Sequence, residues 1–114
     1  MIGSHYRKNS YNCAHFVSDW YLKNKGIKIP VVNEFGISFM IWMRRNFKEV
    51  TKPSHASLVF MTLHDNKTHI GVYDDGYVIH NYKASTTTNG SVVKMTTGQI
   101  KREYKKVSFW QWSQ

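Results

Sequence analysis

Apolar residues Phe16, Val17, Trp20 and Tyr21 recur at intervals of three and four, the spacing of one helical face. They predict a helix over residues 13–25. Asn12 or Ser10 can cap it, and Gly26 can end it in the left-handed conformation. Residues 1–11 read as an irregular lead-in and 26–32, with Pro30, as a connector. A second helix is predicted over 34–47. Phe35, Ile37, Phe39, Met40, Ile41, Trp42 and Met43 make it apolar almost all round, so it is expected to be mostly buried. After Pro53 the pattern turns to β-rich runs: 57–63, then 69–82, then 91–95, then 105–112. Asp75-Gly76 divides 69–82 into the two arms of a hairpin. Helices first and strands afterwards give an α+β class, with N-terminal helices packed on an antiparallel sheet of about five strands. No repeat or composition break divides the chain, so residues 1–114 read as one domain.

Composition adds little to that picture, but charge adds a partner class. A hydrophobic fraction of 41% with 15% aromatics is enough for a packed core and argues against disorder. No apolar run approaches the roughly 18 to 20 residues that span a bilayer. The polar start, MIGSHYRKNSYN, lacks a secretory apolar segment, so the chain is expected to be made in a cytoplasm and to act elsewhere only if carried there. Sixteen Lys and Arg against seven Asp and Glu give a net charge of +9, which favours an anionic partner such as nucleic acid, acidic lipid or a cell-wall polymer. The basic clusters Arg44-Arg45 and 101–106 match no nucleic-acid motif, so no specific nucleic-acid partner is expected.

Candidate chemistry starts from Cys13, the only cysteine, which cannot form an internal disulfide. It is either a small buried hydrophobe or a reactive thiol. In the first turn of a helix, unpaired backbone N–H groups stabilise a thiolate and can hold a developing oxyanion. A two-residue Asp75-Gly76 loop sets Gly71 opposite His80 and makes His69 the diagonal neighbour of His80. Gly71, lacking a side chain, leaves room for the two imidazoles to meet. One can then act as general base for Cys13 while the other orients it. A zinc site using Cys13, His69 and His80 is the other use of such a set, but no HxxxH or CxxC spacing supports it, and no cofactor is expected. His15 should point away from the thiol, and His5, His55 and His64 fall in loops. Trp110 and Trp112 read as sheet packing rather than a partner surface.

The order of these residues resembles the NlpC-type cysteine peptidases, papain-like endopeptidases of bacterial cell walls. NCAHFV stands where that family commonly has DCSGLV, and HIGVY-DDG-YVIHN where it has HVGIY, a turn and FIHA. PSHASLVFM loosely matches PGDLVFF, and the Tyr6-Arg7 pair matches the lead-in PYRWGG. The similarity spans about residues 6–81. Asn12 replaces the family's aspartate, and Ala14-His15 its small Ser-Gly pair. The resemblance implies a papain-like fold with Cys13 as nucleophile, His69 as general base, His80 as the orienting residue and Tyr6 beside the oxyanion. It implies peptidoglycan stem peptide as substrate. With no wall-binding domain, it suggests a phage-borne or delivered enzyme with tail or secretion-machine partners. NCAHFV also resembles the NCEHFV string of lecithin:retinol acyltransferase-like lipid enzymes, whose histidines precede the cysteine; here they follow it. A lipid-directed acyltransferase or phospholipase and an inactive tail protein of the same fold are the alternatives.

Overall fold

A computed structural model of the chain describes residues 13–29, 37–64, 68–82 and 91–113. Helix α1 covers Cys13–Lys25. Its predicted stripe is the buried one: Phe16, Val17, Trp20 and Tyr21 all lie in the core. Gly26 ends it at φ 66°, donating its N–H to the Leu22 carbonyl at 3.2 Å, as a left-handed cap does. The proposed caps Ser10 and Asn12 lie outside the described residues, as do residues 30–36 at the predicted start of the second helix.

Helix α2 spans Ile37–Asn46 and does not reach Phe47. It is buried on one side only: Phe39 and Met43 are covered, whereas Ile41 is 48% exposed and Arg44 and Arg45 face solvent. The expectation of a mostly buried helix fails because α2 packs on the margin of the sheet, against strand β1 (Phe47–Val50). That strand is a second departure. FKEV is too short to show an alternation, and it pairs with the C-terminal strand some sixty residues later.

Strands β2 (Leu58–Thr62), β3 (Thr68–Asp74), β4 (Tyr77–Tyr82), β5 (Ser91–Thr96) and β6 (Lys106–Trp112) complete one antiparallel sheet. It has six strands rather than about five, in the order β1-β6-β2-β3-β4-β5. Asp75 and Gly76 take φ 53° and 83°, positive at both turn positions, as a two-residue hairpin loop with the strands' own twist requires.

Between β5 and β6 lies helix α3, Thr97–Glu103, which the hydrophobic pattern does not predict because Ile100 is its only buried apolar member. Its signal is in the cap instead. The Thr96 hydroxyl accepts from the Gln99 N–H at 3.1 Å, and Gln99 Oε1 accepts from the Thr96 N–H at 2.9 Å, a reciprocal capping box.

The alternation of strand side chains sorts the core into two layers. On one face Leu58, Phe60, Ile70, Val72, Ile79 and Val92 pack with Phe16, Val17, Trp20 and Tyr21 of α1 and Phe39 and Met43 of α2. On the other, Val59, Met61, Val78 and Phe109 pack with Ile100 and Tyr104 around α3. The helices therefore cover both faces of the sheet. Trp110 and Trp112 belong to the first layer and pack against its core, as sheet residues rather than a free surface. Among the described residues no helix is long and apolar enough to cross a membrane.

Candidate active site

The hairpin register is the one the Asp-Gly turn dictates: Asp74 pairs with Tyr77 and Gly71 with His80. His69, two residues before Gly71, shares the face of His80. Their rings meet with His69 Nε2 and His80 Nδ1 2.9 Å apart, a hydrogen bond, at an interplanar angle of 77°. Gly71 makes this possible, since a Cβ there would stand 2.9 Å from His80 Cβ and 2.8 Å from the Ile79 carbonyl oxygen.

His80 is fully buried and His69 half-buried. Burial pushes both imidazoles below their ordinary pKa, and for His80 the neighbouring His69 adds to the effect. Both rings are thus held neutral near pH 7, so one donates and the other accepts in the shared bond. In the unfolded chain each takes up a proton near pH 6.5. The unfolded state then binds more protons than the folded one as pH falls below that value, so the pair's contribution to stability is intact above about pH 6.5 and declines below it. Urea unfolding at pH 5 should give a lower midpoint than at pH 7. His69→Gln should flatten the dependence by up to one proton, about 1.4 kcal/mol per pH unit. An unchanged slope would mean His69 is not held neutral.

Tyr104, which follows α3, closes the site and was not anticipated. Its ring lies parallel to that of His69, at 10° with centroids 6.3 Å apart, and edge-on to that of His80 at 77°. The next residue is anchored too: the Lys105 N–H donates to the Thr62 carbonyl at 2.8 Å. In the sequence Tyr104 sits inside the basic run 101–106 and reads as surface; only the Thr96–Gln99 capping signature hinted at a helix that would deliver it inward. Asn81, beside His80 but on the opposite face, is fully buried with neither amide atom hydrogen-bonded.

Cys13 is the first residue of α1. Its side chain, and Tyr6 altogether, lie outside what the structure describes. α1 packs on β3 and β4, against the face that carries Ile70, Val72 and Ile79. The imidazole pair lies on the other face, against Tyr104. The C-terminal half of α1 is fixed at the Asp74 end of β3. There the Tyr21 hydroxyl donates to the Ala56 carbonyl, the Ala56 N–H donates to the Tyr73 carbonyl at 2.8 Å, and the Trp20 ring lies 6.0 Å from that of His55. Burial raises the Tyr21 phenol above its ordinary pKa, so it stays a donor.

The other described histidines differ in exposure and partners. His55 is exposed and bonds Asp74 at 3.2 Å; His64 is exposed; His15, on α1, is half-buried. Among the described residues no group of three or more His, Cys, Asp and Glu side chains is arranged to hold a metal ion. Comparison with protein-family models and with curated proteins gives no match for this chain.

Proposed function

We propose that this chain is a cysteine hydrolase that cleaves peptide or amide bonds of peptidoglycan stem peptides, with Cys13, His69 and His80 as its working residues. The observation that carries the reading is the His69–His80 bond, 2.9 Å long, on a hairpin whose motif resembles the NlpC-type peptidases. Such a pair divides the labour of a catalytic triad. His69 donates from Nε2 to His80 Nδ1, which leaves the Nδ1 lone pair of His69 free to take the thiol proton. His80, buried and neutral, fixes that tautomer.

In this mechanism the Cys13 thiolate attacks the scissile carbonyl. The Cys13 backbone N–H, with the Tyr6 hydroxyl that the resemblance implies, holds the oxyanion. His69 returns the proton to the leaving amine as the C–N bond breaks. Water, deprotonated by His69, then opens the thioester and restores the thiol. Because α1 packs on the face of β3 and β4 opposite the imidazole pair, this mechanism requires the thiol to reach His69 around the sheet rather than through it. The net charge of +9 suits an anionic substrate.

Incubation with purified sacculi tests it. Soluble stem-peptide fragments with new amino termini are the expected product. An acyl adduct on Cys13 after incubation with phospholipid, and no fragments from sacculi, would replace the peptidase reading by a lipid-directed one. Neither product would leave a non-catalytic protein of this fold.

A further inference from the structure

On the face that α1 and α2 cover, an open groove of about 230 Å³ lies between α2 and the sheet, lined among others by Met43, Arg44, Phe60, Thr62, Lys106 and Trp110. Its origin is architectural. α1 covers β3 and β4, and α2 covers the outer strand β1, so the middle strands β6 and β2 lie between the two helices. The floor is apolar, with Met43 and Phe60 buried and Trp110 partly so. Toward one end its character changes. Thr62 pairs with both Thr68 and Lys106, and Ser108 with Phe60, which brings three hydroxyls and an ammonium together where the rest of this face carries Leu, Ile and Val. Arg44 adds a guanidinium from α2. Glu49, also in the lining, is the one opposing charge there.

We infer that this groove binds an acidic peptide arm, its apolar side chains over Met43, Phe60 and Trp110 and a carboxylate between Arg44 and Lys106. A guanidinium matches a carboxylate bidentately, and hydroxyls supply the remaining donors. The volume is below that of a drug-sized pocket, about 300 Å³ and upward, so it takes one or two residues rather than a long segment. Thr68 lines the groove, whereas His69, the next residue of β3, points to the opposite face of the sheet. The groove is thus a binding site of its own, separated from the imidazole pair by the sheet.

The probe is N-acetyl-Ala-Glu-Ala with a free terminal carboxylate, titrated by NMR against the Cys13→Ala protein. Shifts should map to Thr62, Thr68, Lys106 and Ser108. The Arg44→Gln, Lys106→Gln double variant should bind at least tenfold more weakly, as should the peptide with both carboxylates amidated. Both substituted residues are exposed, so the fold should hold, and the variant's amide spectrum checks it. Equal affinity for the acid and amide peptides, or for the variant and its parent, would overturn the assignment. The two readings fail separately. Charge-dependent binding by a protein that releases nothing from sacculi keeps the groove and removes the hydrolase. Release from sacculi with charge-independent binding removes the groove alone.

Discussion

Cys13→Ala and His69→Ala should each lower the release of stem-peptide fragments from sacculi by about a thousandfold or more, the scale seen when a nucleophile or its base is removed from a working triad. Combining them should cost little beyond either alone, because the two act as a unit. His80→Asn should cost less, about ten- to a hundredfold, since an orienting partner acts only through the base it holds. The His80 variant should also shift the pH profile, as the tautomer of His69 is then no longer set by a buried ring. Release that survives in the Cys13 variant would mean that another group does the chemistry.

The second large effect is expected at Gly71, and it is one of stability. An alanine Cβ there would meet the Ile79 carbonyl oxygen at 2.8 Å, His80 Cβ at 2.9 Å and the Met61 terminal methyl at 3.2 Å. The methionine can swing away, but the carbonyl belongs to the neighbouring strand and cannot. Forcing β3 from β4 should cost about 2–3 kcal/mol, within the range for overpacked cores. It should also pull apart the imidazole pair. Gly98→Ala is the matched control. In α3 its Cβ would find only ordinary contacts, Arg102 Nη1 at 3.7 Å and Thr96 Oγ1 at 3.9 Å. Removing a glycine from a helix there should raise stability by about 0.5–1 kcal/mol. Urea midpoints read both. Equal destabilisation of the two variants would show that the close approach of β3 to β4 is not what Gly71 provides.

Gly71 also marks what could be read in advance. The Asp75-Gly76 turn has few backbone solutions, and a two-residue loop sets every pairing beyond it. The meeting of His69 with His80 therefore followed from local chemistry. α1 was equally legible, because a helix with one buried stripe needs no knowledge of what covers it. β1 and α3 were not. Phe47–Val50 is a strand only because β6, some sixty residues later, runs beside it, and no local pattern encodes that pairing. α3 buries one side chain within its length and depends on its cap. Missing α3 meant missing Tyr104, and with it the layer in which the imidazoles sit. The two-faced burial of the sheet was hidden for a related reason. Strand β2 is apolar on both sides, so its alternation does not say which face α1 takes.

In the proposed mechanism the Cys13 sulfur meets the imidazole pair. As Cys13 is the only cysteine, its alkylation can be followed without ambiguity. The direct measurement is the rate of reaction with iodoacetamide as a function of pH, in the parent protein and in His69→Ala. A thiol served by His69 should react fast and plateau well below the ordinary thiol pKa of about 8.5, and His69→Ala should return the inflection toward that value. One ordinary curve near 8.5 for both proteins would separate sulfur from imidazole and contradict the mechanism.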